Sequence, residues 1–348
     1  MSNWKRWPDA PLNEMFAEIE HPDRIVYPDL NDGSPLVLAC DHSGEHAPPE
    51  FRVLSFLVTT YKAVAEWEPL RIAVRKKHLA DGRRMSFKAL NDALRINAFP
   101  GFLDVAGQLK GVLVCVGVEK GFALPTDELP PRQHDWTVDT LNKLVEVCVF
   151  GGVMVDGLRS NGQPVHWITD DDSTVSTEKA KADAVNLMGG LFHKYPSEYL
   201  EVGVGVASQF DDDLRAEDLV AIPDLAAGAY SETLSKMGKA NIPTSGKGPM
   251  GAIIFEQIKS SLINTWRSEV DKPLKHMNAV IRPAGAGQMR VSFGAPFSRM
   301  LRPGESRGRR SHAQLEVAEI TRSRPEGTRH RSERGAEVYG YRSLTTRP

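Results

Sequence analysis

The sequence contains few cysteines, and none is spaced as in a disulfide-rich or zinc-binding protein. Its 348 residues include three cysteines, Cys40, Cys115 and Cys148, each in an apolar run and without a CxxC pair. We therefore expect buried free thiols in a reducing cytoplasm, with neither disulfides nor a zinc centre. No apolar run reaches the roughly 18 residues that span a bilayer, and the polar first residues are unlike a signal peptide. These absences predict a cytoplasmic protein without a membrane partner.

Several catalytic motifs are also absent. The sequence has no HExxH or GxxxxGK[ST] segment, which excludes the usual zinc proteases and phosphate-loop enzymes. His42, His46 and His78 do not have the spacing of metal ligands. Carboxylates are the remaining side chains from which a catalytic site can be predicted.

Charge is distributed unevenly along the chain. The net charge is −2, yet residues 302–348 hold 11 Arg, no Lys and 6 Glu, a net of +5, which leaves −2 − 5 = −7 for residues 1–301. An arginine-rich tail on an acidic body favours contact with nucleic acid. The alternative is a solvated tail with no partner.

Apolar runs and helical periodicity alternate along the middle of the chain. This order predicts an α/β domain with a mixed sheet, in which an antiparallel hairpin is followed by alternating strands and helices. The predicted strands are 35–41, 51–60, a short one at 83–88, 111–119, 165–169 and 200–208. The predicted helices are 61–78, one after residue 88 that ends at Pro100, 135–150, 176–193 and 218–237. We expect Pro69 to kink the first of these or to divide it in two. The last is one helix or two short ones, with Pro223 near a helical start.

The same pattern predicts four segments. They are an N-terminal extension (1–34), the α/β domain (35–240), an appendage with one helix and a hairpin (241–301) and the Arg-rich tail (302–348), which we expect to be disordered.

Acidic residues follow two of the predicted strands and begin the last helix. Asp41 ends the first strand, Asp170 and Asp171 follow strand 165–169, and Asp224 lies in the predicted first turn of the last helix. Strand ends and helix starts converge in open α/β sheets, and carboxylates are the protein ligands that Mg²⁺ prefers. Two such ions can cleave a phosphodiester bond by activating water and stabilising the leaving oxygen. These acids are therefore candidate metal ligands.

Each acid also has an ordinary explanation. Asp41 could be a turn residue before Gly44, and Asp170 and Asp171 could belong to a solvated turn, where adjacent carboxylates repel. Asp224 would be favourable in a first helical turn on dipole grounds alone, although the small residues 226–229 would let its helix approach the sheet closely. Lys88 could bind a phosphate or an active-site acid, or be a plain surface lysine.

Short motifs around these residues resemble a known family. Residues 40–44 (Cys-Asp-His-Ser-Gly) resemble the strand-end Asp-Glu-Ser-Gly motif of a prokaryotic family with a ribonuclease-H-like fold, named only as domain of unknown function 3800. Residues 86–88 (Ser-Phe-Lys) resemble its Glu-x-Lys element, and residues 222–229 resemble its closing helix start. Residues 168–173 fall where the family has its middle acid, and the match spans about residues 35–235.

The resemblance implies a ribonuclease-H-like mixed sheet flanked by helices and a nuclease dependent on Mg or Mn, with a two-ion site as one arrangement. Its metal ligands would be Asp41, Asp170 or Asp171, and Asp224. The substrate would be RNA or DNA, in phage defence or mobile-element biology. A homo-oligomer or a defence-complex partner is left open.

Two departures from the family pattern favour an alternative. His42 and Ser86 stand where the family has Glu, so carboxylates are missing from the expected site. The alternative is a catalytically degenerate subunit that binds nucleic acid or assembles into a complex without cutting.

Overall fold

A computed structural model of the protein describes residues 26–43, 51–122, 136–171, 177–192, 201–210, 213–238, 250–269, 271–285, 288–294 and 317–320. Its strands are β1 (Leu36–Ser43), β2 (Phe51–Thr60), β3 (Gly111–Glu119), β4 (Val165–Thr169), β5 (Val202–Val206), β6 (Leu274–Gly285), β7 (Gln288–Gly294) and β8 (Val317–Ile320). Its helices are α1 (Tyr61–His78), α2 (Ala93–Gly107), α3 (Val138–Leu158), α4 (Glu178–Phe192), α5 (Arg215–Gly238) and α6 (Met250–Arg267).

The strands form one mixed sheet in the order β5-β4-β1-β2-β3-β6-β7-β8. Strand β2 pairs antiparallel with both β1 and β3, whereas β4 is parallel to β1 and to β5. The predicted α/β class, with an antiparallel start followed by parallel units, is confirmed. The ribonuclease-H-like assignment stays a prediction.

Helices cover both faces of the sheet. Leu36, Leu38 and Cys40 of β1 pack in the core that includes α3 and α4. Val37 and Ala39 pack in the opposite core, with α1, α2, α5 and α6. Because side chains alternate along a strand, Asp41 lies on the second face, towards α5.

Two prolines were expected to interrupt helices and do not end them. Helix α1 continues through Pro69, and α2 continues through Pro100 as far as Gly107. The predicted end at Pro100 is wrong because Phe102, Leu103 and Ala106 are buried, and their packing outweighs the one hydrogen bond that proline removes.

The short strand predicted at 83–88 is also absent: these residues form turns and irregular backbone. Asp92 then caps α2, since its Oδ1 accepts a hydrogen bond of 2.9 Å from the N–H of Leu94. The segment 83–92, hereafter the capping segment, lies against α5 and forms part of the candidate site.

Residues expected to form an appendage instead extend the sheet. Strand β6 pairs in parallel with β3 from Leu274 to Ile281, so the sheet contains strands from both sides of the predicted boundary at residue 240. The predicted hairpin forms as β6 and β7, and β8, from within the tail, pairs with β7. The reason is that β3 is buried along nearly its whole length, and such a strand requires a neighbour on each side.

The end of the predicted N-terminal extension also belongs to the core. Tyr27 and Leu30 are buried, and the Tyr27 hydroxyl donates a hydrogen bond of 3.1 Å to the sulfur of Met277 in β6. Residues 1–25 and the tail outside 317–320 lie outside the described residues. Within the described part of the chain, no helix has the length and apolarity required to cross a bilayer.

Candidate functional site

Asp224 lies further from the start of helix α5 than the sequence predicted. It begins at Arg215 and runs unbroken to Gly238, with Pro223 inside it, so Asp224 lies in the third turn and the first-turn prediction is wrong. Ile222 and Leu225, on either side of the proline and the acid, are fully buried, and this packing holds the helix together through Pro223. The helix dipole therefore does not explain Asp224, because the effect fades within the first turn.

Asp41 and Asp224 meet at the centre of the site. Their carboxyl groups are hydrogen-bonded to each other, and the Asp41 side chain is only 8% exposed. Burial raises the pKa of Asp41 well above its ordinary value, and the charges of Asp224 and Asp170 raise it further. Both effects favour the neutral form of the Asp41 carboxyl group in the metal-free protein.

Asp224 is held by several further groups. Its Oδ2 accepts a hydrogen bond of 2.7 Å from the backbone N–H of Phe87. Burial raises the pKa of Asp224, while bonds from Phe87, Asp41 and Ser86 and the positive charge of Lys88 oppose that rise. Two segments distant in sequence, α5 and the capping segment, are thus joined through one carboxylate.

The structure distinguishes Asp170 from Asp171. The charge of Asp170 acts on Asp41. Asp171 instead lies 3.3 Å from the Lys181 ammonium and accepts a bond of 3.2 Å from the N–H of Ser208. Asp170 therefore acts on Asp41, while Asp171 is bound by Lys181 and Ser208. Asp172 lies outside the described residues.

Sequence reasoning missed a further acid, Glu217. It precedes Asp224 by seven residues, two turns of α5, which places both on one face of the helix. Its side chain is 6% exposed and lies 2.6 Å from the guanidinium of Arg84. The pKa of Glu217 is raised to about 7, chiefly by burial and also by Asp170, Asp171 and Asp218, against the opposing charge of Arg84. A helix start at residue 215 would have revealed this spacing.

Phe87 fixes the capping segment on α5. A Cβ atom on Gly228 would overlap the Phe87 ring, so the small residue is required where the ring lies on the helix. The ammonium of Lys259 lies 4.1 Å from the centroid of the same ring, within the range of a cation–π interaction. Lys88, the next residue, is exposed beside Asp224.

A buried ion cluster holds the start of α5 against α1. The Asp218 carboxylate is fully buried and accepts hydrogen bonds of 2.8 Å from Arg71 and of 2.5 and 2.6 Å from Arg75. Removing one partner from such a cluster leaves an uncompensated buried charge. Asp218 therefore secures the turn of α5 that presents Glu217.

The donors suit a hard divalent cation in kind, since they are carboxylates that repel one another. Among the described residues, however, no three His, Cys, Asp or Glu side chains are grouped so that they could hold one metal ion. His42 stays close to Asp41, with 3.9 Å between Nδ1 and Oδ1, and supplies no carboxylate. A cation would have to displace the proton that Asp41 and Asp224 share.

Comparison with known proteins does not assign the chain to a family. No protein-family model matches the chain, and no curated protein matches it. Among solved structures, the chain is similar to the crystal structure of the ribonuclease H2 from Pyrococcus horikoshii OT3, with 13% identity and a TM-score of 0.31, over 67% of this chain and 86% of that one. At this TM-score the likeness decides neither fold nor activity.

Proposed function

We propose that this protein is a nuclease dependent on Mg²⁺ or Mn²⁺ that hydrolyses phosphodiester bonds in RNA or DNA. The observation that carries the proposal is the buried Asp41–Asp224 pair, which shares a proton beside the charge of Asp170. Buried carboxylates so arranged are unfavourable when ionised unless a cation compensates them. The family resemblance of residues 40–44, 86–88 and 222–229 is in accord with this function.

In the proposed site, Asp41, Asp224 and Asp170 would hold the cation, with the Asp41 carboxyl group ionised. The cation would supply activation of the attacking water and stabilisation of the leaving oxygen. The chain's own cations bind substrate: Lys88 is exposed beside Asp224, and there it would contact a phosphate of the cleaved strand.

Glu217 supplies a carboxylate that His42 and Ser86 do not. The charges of Asp170 and Asp171 act on it. If a second ion were held there, Glu217 would be one of its ligands, and Arg84, which is about half exposed, would be free to contact the nucleic-acid backbone. The substitutions at family acid positions would then leave the site competent.

The test is cleavage of labelled single-stranded and duplex RNA and DNA with Mn²⁺, with Mg²⁺ and with EDTA. We expect metal-dependent cutting by the wild type and none by Asp224→Asn. The matched pair is Asp170→Asn and Asp171→Asn: the first should abolish cutting, and the second should leave most of it. Equal cutting by Asp224→Asn and the wild type would refute the site.

A second candidate is a subunit that binds nucleic acid, or a defence-complex partner, without cutting. The absence of a group of three metal-binding side chains among the described residues favours it. It predicts binding that is unchanged by EDTA, weakens with salt and falls in an Arg84→Ala, Lys88→Ala double variant. Salt-dependent binding without any cleavage would replace the first proposal with this one.

A further inference from the structure

A second cluster of buried polar side chains lies on the same face of the sheet as Asp41, three strands away. The register runs from Asp41 to Ser55, then Cys115, then Asn278, a distance of about 14 Å at the usual strand spacing. Arg267, at the end of α6, is 1% exposed, and Asn278 is 2% exposed. This cluster has no part in the proposed cleavage.

Arg267 is a buried cation without an anionic partner in the described part of the chain. Its Nη2 donates to the Asn278 side-chain oxygen and, at 3.3 Å, to the carbonyl of Met277. Cys115 accepts a further bond, and the ring of Tyr230 lies 5.6 Å from the guanidinium carbon. Its Nε and Nη1 have no acceptor among the described residues. Burying an unpaired charge costs several kcal/mol.

The neighbouring groups cannot supply the missing negative charge. Burial raises the pKa of the Cys115 thiol and raises that of the Tyr230 hydroxyl, so both stay neutral. Burial, assisted by the charge of Arg267, lowers the pKa of His276 well below its ordinary value. The cluster therefore carries one positive charge.

The other unpaired groups are mainly donors. Asn278 Nδ2, Trp266 Nε1 and both ring nitrogens of His276 are buried without a partner among the described residues. The His276 and Trp266 rings are in edge-to-face contact, with centroids 4.6 Å apart. Buried polar groups are nearly always hydrogen-bonded, so these donors call for an acceptor, and an acceptor with negative charge would also compensate Arg267.

We propose that Arg267, Asn278 and His276 form a buried binding site for one small monovalent anion of the size of chloride. One guanidinium charge matches one negative charge, and the free donors would complete the anion's hydrogen bonds. Arg159 provides the contrast within the same chain: it is equally buried, with its own Nε and Nη1 unpaired, yet its Nη2 lies 3.4 Å from the Asp156 carboxylate. It has no need of an anion.

The test is thermal unfolding of the full chain in chloride, in phosphate and in gluconate at equal ionic strength, with the bulky gluconate ion as the reference. We expect a saturable rise in Tm with chloride, of about 5–10 °C at a hundredfold excess over Kd. Line broadening of the ³⁵Cl resonance by the wild-type protein measures binding without any variant.

Asn278→Asp is the decisive substitution, because it places a carboxylate on Arg267 with no change in shape. We expect it to raise Tm in gluconate and to abolish the chloride response, whereas Arg159→Met keeps that response. A wild type with no chloride response and no line broadening would show that only water satisfies the cluster, which overturns the proposal. An undiminished response in Asn278→Asp would overturn it too, and a response to phosphate alone would reject a site of chloride size.

Discussion

Replacing Glu217 by Gln should stabilise the metal-free protein at alkaline pH and leave it nearly unchanged at acid pH. The pKa of Glu217 rises from an ordinary 4.5 to about 7 on folding, so the folded state binds the proton more tightly than the unfolded state. The contribution of Glu217 to the free energy of unfolding therefore falls as pH rises from 4.5 through 7. Above pH 7 the charged side chain destabilises the folded state by the full amount. Because Gln carries no charge, the Glu217→Gln protein does not lose this stability at alkaline pH.

The size of the effect follows from the shift. A difference of 7 − 4.5 = 2.5 pKa units corresponds to about 3 kcal/mol at 1.36 kcal/mol per unit. That figure is an upper limit, because burial is the largest cause of the shift, and relaxation and water penetration reduce the cost of a buried charge. We expect about 1–3 kcal/mol above pH 8, which is a rise in Tm of roughly 2–10 °C for a domain of this size.

The assay is urea unfolding in EDTA at pH 4.5 and at pH 8.5, on wild type, Glu217→Gln and Glu66→Gln. Glu66 is an exposed residue of α1, and its variant should match the wild type at both pH values. A Glu217→Gln protein that is no more stable than the wild type at pH 8.5 would refute the reasoning. So would a gain of equal size at both pH values.

Three further predictions concern the same site. Asp41→Asn should raise Tm without metal, because burial and neighbouring charges raise the pKa of Asp41. It should also abolish the rise in Tm that Mg²⁺ gives the wild type. Thermal unfolding with and without Mg²⁺ checks both results. Gly228→Ala should displace the Phe87 ring and so lower the cleavage rate, even though alanine is the better helix former. An unchanged cleavage rate would show that the capping segment tolerates the displaced ring. Asp218→Asn should cost about 3–5 kcal/mol, since it leaves the buried Arg75 without a carboxylate partner and Arg71 with Glu68 alone. A urea midpoint equal to that of the wild type would contradict this.

The sequence by itself determined the local structure of the core strands. Apolar runs at 51–60, 111–119 and 165–169 became β2, β3 and β4 with the predicted bounds, because strands buried on both faces require continuous apolar side chains. Asp41 was likewise placed near the end of a strand. Its role as a metal ligand stays a prediction.

Only the tertiary structure decided which acids meet. The choice between Asp170 and Asp171 depends on where β4 ends relative to β1. Glu217 and Asp224 share one helix face because α5 continues through Pro223. The packing that outweighs proline comes from segments far away in the chain.

The same reason explains why the sequence did not show how far the sheet extends. A local pattern cannot show that β3 will take β6 as its second neighbour, or that Tyr27 will reach Met277 across 250 residues of sequence. Pairing of this kind depends on the burial that both partners gain together. Residue spacing therefore determined the elements, and contacts distant in sequence determined the sheet's extent and the composition of its acidic site.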